Sequence, residues 1–273
     1  MSADINTPSG LSEAAKIQRR SLPTLRVMFA LMLREMATTY GKSPGGYIWA
    51  ILEPVIGITL LTYIFSIGFK SPALGINFPI FYATGVVPFL MYMDISQKMA
   101  GSIQFSKPLL AYPAVTWGDA VLSRYVLNLL TQVLVGYIVI SGILLLYETR
   151  TTLVVPQIAL GCAMLAALAF GVGAMNCFLI SMFPVWQRVW AIANRPLLFI
   201  SCIFFTFESV PQPIRDYLWY NPMVHIIGML RTAFYPNYDG QYVTPEYVFG
   251  VSLAMAVFGL VFLRRYNRDI LEI

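Results

Sequence analysis

Long apolar segments alternate with short polar stretches along most of the chain. A helix of about 20 apolar residues crosses the hydrocarbon core of a bilayer, so segments of this length predict membrane spans. Six segments meet this criterion, at about 47–69, 78–99, 125–147, 153–183, 189–207 and 247–263. The pattern therefore predicts an all-α integral membrane protein with six transmembrane helices, in a single domain over residues 21–273.

An amphipathic segment precedes the first span. Apolar residues recur at helical spacing over residues 28–40, and Arg26 and Arg34 belong to a more polar line beside them. We expect an interface helix over residues 22–41 that lies on the cytoplasmic membrane surface, after a disordered cytoplasmic tail at residues 1–20. This helix is either a membrane anchor or a docking surface for a cytoplasmic partner, and the residues alone leave both functions open.

The Lys and Arg residues are distributed unequally about the predicted spans. With both termini in the cytoplasm, fourteen of the eighteen basic residues lie inside and four lie outside. Cytoplasmic loops of membrane proteins carry the excess of basic residues. The sequence therefore predicts cytoplasmic N- and C-termini, and this bias explains the net charge of +5 without a nucleic-acid partner.

Two stretches between the spans are too polar and too rich in proline to cross the membrane as helices. Residues 102–124 predict a short amphipathic helix on the cytoplasmic side. Residues 208–246 contain five prolines and predict an external amphipathic loop whose central part re-enters the membrane. Such backbone is allowed at membrane depth only where protein or a water-filled path satisfies its polar groups.

The composition excludes an ordinary soluble domain. Only 11% of the residues are charged and 58% are hydrophobic, whereas a soluble domain has roughly 25% charged residues. The three cysteines lie in apolar segments without a CxxC pair, and the single histidine, His225, has no cysteine or carboxylate cluster beside it. We expect buried cysteines and no metal site.

No catalytic motif is evident in the sequence. Gly41-Lys42-Ser43 resembles the end of a phosphate-binding loop, but Met36 occupies the position of the required first glycine and no strand precedes it. A six-span protein without a nucleotide site is expected to move a substrate. Its energy then comes from an ion gradient or from a separate ATPase.

Three features of the spans have two interpretations each. Glu53 and Arg195 either form an ion pair near the cytoplasmic mouth or extend separately to the interface. The many Gly and Ala residues of the fourth span favour close helix packing, either within the chain or across a dimer. Aromatic residues, 14% of the chain, are typical of interfacial belts, and their rings also suit a polysaccharide conduit because sugar C–H faces pack on them.

Three blocks of sequence resemble a single family. The first is Arg34-Glu35 with YGKSPGGYIWA at 40–50 and Glu53-Pro54. The second is LLAYPAV at 109–115 with Asp119 and Ser123-Arg124, and the third is NPMVH at 221–225 with Arg231 and FYP at 234–236. In this order they resemble the membrane subunits of capsular-polysaccharide ABC exporters, within the type 2 ABC permeases. One departure is Gly228, where many relatives carry an acidic residue.

The resemblance implies a homodimer that encloses a translocation channel in a Gram-negative inner membrane. It implies two copies of a cytoplasmic ABC ATPase that carry ATP and Mg²⁺, so that this chain is not an enzyme and holds no cofactor. Further expected partners are a periplasmic co-polymerase, an outer-membrane export protein and a glycan or glycolipid substrate. The alternatives are the same fold exporting O-antigen, teichoic acid or a lipophilic small molecule, or an ion-driven carrier or polytopic membrane transferase.

The residues and the resemblance together predict three groups of functional residues. The group expected to couple to the ATPase is Arg26, Arg34, Glu35, Leu109, Leu110, Tyr112, Pro113, Asp119 and Arg124. The candidates for the substrate channel are Tyr47, Trp49, Glu53, Tyr63, Phe65, Arg195, Phe199, Phe204 and Phe205. The candidates for a periplasmic gate are Asn221, Pro222, His225, Arg231 and Phe234.

Overall fold

The computed structural model describes residues 23–40, 46–110 and 115–272. The chain is helical in these ranges, without a strand. Its helices are α1 Pro23–Glu35, α2 Gly46–Gly68, α3 Phe78–Ala100, α4 Ser102–Leu110, α5 Trp117–Leu146, α6 Val155–Met182, α7 Val185–Leu197, α8 Ile214–Trp219, α9 Pro222–Phe234, α10 Pro245–Arg265 and α11 Asn267–Glu272. A π-helical turn, Met36–Tyr40, extends α1.

Five helical segments in the described ranges are long and apolar enough to cross a membrane. They are α2, α3 continued by α4, α5, α6 and α10, which agree with five of the six predicted spans to within a few residues at most ends. The exceptions are the α3–α4 segment, which ends at Leu110, eleven residues after the predicted position 99, and α5, which begins eight residues before the predicted position 125. Its start is fixed by a capping box in which Thr116 and Asp119 exchange side-chain to backbone hydrogen bonds of 3.1 and 3.2 Å.

The bundle is built around α3 and α6, whose facing sides are buried. The glycines of α6 lie at contacts with other helices of the same chain: Gly161 against Leu230 of α9, Gly171 against the backbone of Ser252 in α10, and Gly173 against Met99 of α3. A Cβ atom at Gly173 would lie 2.8 Å from the Met99 sulfur. These small residues therefore allow close packing within the chain.

Packing shows which helix ends share a side of the bundle. Ile103 of α4, Val121 of α5, Phe178 of α6 and Leu263 of α10 lie in one hydrophobic cluster. We call this side the α4 end. The last turns of α6 and α10 both lie there, so residues 183–244 must return the chain to the opposite end before α10 begins.

The segment predicted as a continuous fifth span, 189–207, is not a continuous helix. The helix α7 ends at Leu197, after Pro196, and residues 198–206 are irregular, with Cys202 at a φ of 57°. The prediction of one helix through this segment was wrong. Side chains of α9, which sequence periodicity does not report, bond the carbonyl groups that a helix would have bonded internally.

Candidate functional site

An ion pair between the buried Glu35 and the half-buried Arg124 joins α1 to α5. The Arg124 Nε donates to the Glu35 carboxylate at 2.9 Å, and the Arg124 Nη1 donates to the carbonyl of Gly101 between α3 and α4 at 3.0 Å. Asn128 donates to the same Glu35 oxygen at 3.2 Å. Only 4% of Glu35 is exposed. Separating such a pair would leave a buried charge unbalanced, so these elements are expected to move together.

The ring of Phe105 in α4 extends this junction. It lies between two guanidinium groups, 4.2 Å from that of Arg124 and 5.2 Å from that of Arg34. Cations attract the faces of aromatic rings at these distances. The interface helix α1, the short helix α4 and the long helix α5 therefore meet through Arg34, Glu35, Phe105 and Arg124, which we call the α1–α4–α5 junction.

The other residues predicted to couple to the ATPase lie in different settings. Arg26 is exposed, and Leu109 and Leu110 are half-buried at the end of α4. Asp119 is buried and caps α5, which gives it a structural role in this chain. Tyr112 and Pro113 lie outside the residues that the structure describes.

The predicted channel residues separate into two groups along the bundle. Trp49 and Glu53 line a polar cavity between α2, α3 and α5, two turns or less from the start of α2. Phe65, one turn from the end of α2, has its ring centroid 6.1 Å from that of Phe204, which lies 5.7 Å from that of Phe199. An aromatic cluster of Phe65, Phe199 and Phe204 therefore lies toward the end opposite α4.

The remaining channel candidates do not join either group. Tyr63 is 67% exposed, and Phe205 packs under α8 and α9. Glu53 and Arg195 are both exposed, and they form no ion pair with each other in the described part of the chain. The side chain of Tyr47 lies outside that part.

Arg231 in α9 is the largest side chain that is almost wholly buried, with 1% exposed. Its guanidinium donates to the carbonyls of Ile203 and Phe205 at 2.9 and 2.8 Å and lies 4.5 Å from the centre of the Phe81 ring. These carbonyls belong to the irregular segment 198–206. Backbone groups without partners are costly in a membrane, so Arg231 stabilises the irregular conformation by bonding two of them.

The other gate candidates surround α9. Asn221 caps it by accepting from the N–H of Met223 at 3.0 Å, with Pro222 in the first turn, and also donates to the carbonyl of Ile200 at 2.9 Å. The Nδ1 atom of His225 accepts from the N–H of Thr244 at 3.2 Å. Its Nε2 therefore carries the proton and donates to the carbonyl of Trp219 at 2.7 Å.

These contacts make α9 a hub between the irregular segment, α8 and the start of α10. Phe234, at its other end, packs with Ile80 and Tyr238 near the end of the bundle opposite α4. Nearby, the hydroxyls of Tyr238 and Tyr242 lie 3.0 Å apart.

Sequence reasoning missed several residues of these sites. Asn128 is 1% exposed and contacts Glu35, and Gln132 contacts Asp94 at 2.5 Å. With Arg124 they form a polar line at a spacing of four residues within an apolar helix. That line is a visible signal in the sequence. Phe105 and Phe81 gave no comparable signal. In the sequence, an aromatic residue that contacts a cation cannot be distinguished from any other apolar residue of its helix.

Comparison with known proteins agrees with this architecture. A model of the ABC-2 type transporter family matches residues 26–235. The chain belongs to this family. The match begins within α1 and extends past the end of α9, so it contains both the α1–α4–α5 junction and α9. The resemblance predicted from the three sequence blocks is confirmed.

Individual members of the ABC-2 family are similar over most of their length. The polysialic acid transport protein KpsM of Escherichia coli is 33% identical over 235 residues, which cover 86% of this chain and 91% of that protein. The capsule polysaccharide export inner-membrane protein CtrC of Neisseria meningitidis serogroup A is 23% identical over 245 residues, 90% of this chain and 92% of CtrC. The BexB protein of Haemophilus influenzae, with the same description, shows the same identity and coverage.

Proposed function

We propose that this chain is the permease subunit of an ABC exporter that moves capsular polysaccharide across a bacterial inner membrane. The observation that carries the proposal is the similarity over nearly the full length to proteins named for polysialic acid transport and capsule polysaccharide export. The five membrane-spanning helices agree with a multi-pass membrane location.

ATP hydrolysis is assigned to a separate ATPase that carries ATP and Mg²⁺. The α1–α4–α5 junction supports a docking site for it at the α4 end. There α4 exposes Gln104 and Lys107, while Phe105 on the same short helix belongs to the junction and contacts Arg124. A push on α4 would reach α5 through Arg124, because its guanidinium contacts the ring of Phe105 in α4 and the carbonyl of Gly101 just before α4. In this arrangement the α4 end is cytoplasmic.

We assign the sixth crossing to residues 183–244. Support comes from the packing of α4, α6 and α10, which requires this segment to return the chain to the opposite end. It would cross as the helix α7, the irregular segment 198–206 and the re-entrant helix α9. Both termini are then cytoplasmic, in agreement with the distribution of Lys and Arg.

A homodimer is the proposed working unit. The helices α2 and α7 expose apolar residues on sides that no other helix in the described part of the chain covers, such as Leu60 and Ile67 in α2 and Ile192 in α7. A second copy facing these sides would place the two aromatic clusters on a shared channel. A periplasmic co-polymerase and an outer-membrane export protein complete the proposed export route for a glycan or glycolipid.

Deletion of the gene in its host, with complementation, tests the function. We expect capsular polysaccharide to accumulate inside the deletion strain and to return to the surface on complementation. Purification of the tagged protein in mild detergent should recover an ATP-binding subunit near one copy per permease chain. Intracellular accumulation of O-antigen instead of capsule, or recovery of the permease alone under conditions that preserve other complexes, would contradict the proposal.

A further inference from the structure

A cavity of about 380 Å³ with a partly polar lining lies between α2, α3 and α5. Its polar lining consists of Trp49 and Glu53 of α2, Asp94, Gln97 and Lys98 of α3, and Gln132 of α5. Trp49 is 59% exposed and Glu53 is also exposed, so both lie at the rim. Asp94 and Gln132 lie deeper.

Three of the polar groups of this cavity contact one another. The amide nitrogen of Gln132 donates to Asp94 Oδ2 at 2.5 Å, and the Lys98 ammonium lies 2.9 Å from the same oxygen. Glu53 forms no ion pair within the described ranges. Pro54, also in the lining, lacks the N–H that would bond the carbonyl of Ala50 in a regular helix. Hydrogen-bond acceptors therefore remain available to a ligand.

The cavity lies inside the membrane-spanning part of the bundle. Glu53 is seven residues from the start of α2, and Asp94 is seven residues from Gly101, where α3 ends. A helix rises 1.5 Å per residue, so both carboxylates lie about 10 Å from the ends of helices that are long enough to cross a hydrocarbon core about 30 Å thick. Ionisable groups at such depth are costly and mark substrate paths more often than structural sites.

The chemistry of the lining fits a sugar. Carboxylates accept hydrogen bonds from hydroxyl groups, and the amides and the ammonium donate to them. The indole ring of Trp49 offers a face on which sugar C–H groups pack. Two carboxylates against one ammonium disfavour an anionic group, whether a phosphate or the carboxylate of an acidic sugar, since like charges repel, so the lining fits a neutral sugar residue. The cavity volume is also within the range of small-molecule sites.

We propose that this cavity binds one sugar residue of the exported glycan through its hydroxyl groups. The site lies at the α4 end, where Glu53 and Trp49 are 12 and 16 residues away from Phe65 of the aromatic cluster along the 23-residue helix α2. A glycan that enters from the α4 end would bind in this cavity before it reaches the aromatic cluster. This inference rests on the proposed function, because only a glycan exporter brings a sugar to this depth.

Tryptophan fluorescence of the intact permease–ATPase complex in nanodiscs tests the proposal. The probe is a set of short oligosaccharides made by partial hydrolysis of the host's own capsule. We expect a saturable change in emission that is lost in Trp49→Phe. Glu53→Gln should weaken the affinity about tenfold, the effect of one hydrogen bond to a charged group. Calorimetry of Trp49→Leu gives a second measure of affinity if Glu53→Gln does not assemble.

Tyr137→Leu is the matched control. Tyr137 is a 70% exposed aromatic residue of α5 outside the cavity lining, so its replacement should leave binding as in the unmodified complex. Equal affinities for the unmodified complex, Glu53→Gln and Trp49→Leu would overturn the proposal. The proposal would also be overturned if inorganic phosphate or anionic lipid vesicles changed the tryptophan emission at concentrations where the oligosaccharides leave it unchanged.

The two proposals fail in different ways. If capsule export depends on this chain but the cavity variants export and bind normally, the sugar site is wrong and the function stands. If the deletion strain exports capsule normally, the function itself is wrong.

Discussion

Arg124, which is half-buried, and Arg231, which is almost wholly buried, are stabilised in different ways. Arg124 at the α1–α4–α5 junction faces a carboxylate, that of Glu35, at 2.9 Å. Arg231 in the α9 hub is more deeply buried and has two carbonyls and the face of Phe81 as its contacts. The first arginine balances a charge on another helix, whereas the second satisfies backbone of an irregular segment.

The difference indicates what each region can do. A buried ion pair between α1 and α5 resists separation, so a displacement at one helix reaches the other. Hydrogen bonds to the carbonyls of Ile203 and Phe205 instead fix the shape of one segment and hold Phe204, between them, against Phe65. We therefore expect the junction to transmit motion and the α9 hub to maintain a conformation.

The largest expected effect comes from unbalancing the ion pair. Glu35→Gln leaves the Arg124 charge buried without a counter-charge, which should lower the free energy of unfolding by about 3 kcal/mol. Arg124→Gln should cost a similar amount. The double variant should lose less than both single losses together, because it leaves no unbalanced charge. Unfolding by SDS, followed by circular dichroism, measures all three. Strictly additive losses would show that the two residues do not interact.

A smaller loss is expected at the α9 hub. Arg231→Met removes the donors of two carbonyls but also relieves the burial of a charge, so we expect a net loss of about 2 kcal/mol in the free energy of unfolding. Loss of the hydrogen bonds from Arg231 to the carbonyls of Ile203 and Phe205 should also make the segment around Phe204 more mobile. A cysteine at Phe204, in a variant without the three native cysteines, should react faster with a membrane-permeant maleimide when Arg231 is replaced. Unchanged reactivity would contradict the positioning role.

The sequence predicted the helices whose stability depends on their own residues. Apolar length placed α2, α3, α6 and α10 within a few residues, since burying an apolar helix in lipid needs no particular neighbour. The start of α5 was missed by eight residues, although Thr116 and Asp119 show the spacing of a capping box. That error was one of interpretation, because the local signal was present.

The irregular segment 198–206 could not be predicted in the same way. Its residues are apolar enough to continue α7, and it departs from a helix where Arg231 and Asn221, more than 15 residues later, supply donors for its carbonyls. The functional residues show the same limit. Glu35 and Arg124 were singled out by motif, but their pairing across 89 positions follows from packing that no local pattern reports.

The smallest effect on stability, and the sharpest test of the comparison, is expected from Arg34→Ala. Arg34 contacts the ring of Phe105 at 5.2 Å, outside the ion pair, and a cation–ring contact of this kind contributes about 0.5–1 kcal/mol. The protein should therefore assemble with its ATPase. If the junction transmits motion, ATP hydrolysis should continue while export falls, because α1 then lacks the contact between Arg34 and the Phe105 ring of α4. Export and hydrolysis falling in proportion would instead indicate a role in assembly.

The matched control is Leu33→Ala. Leu33 is the neighbour of Arg34 and is 66% exposed, so its replacement should leave the ratio of export to hydrolysis unchanged.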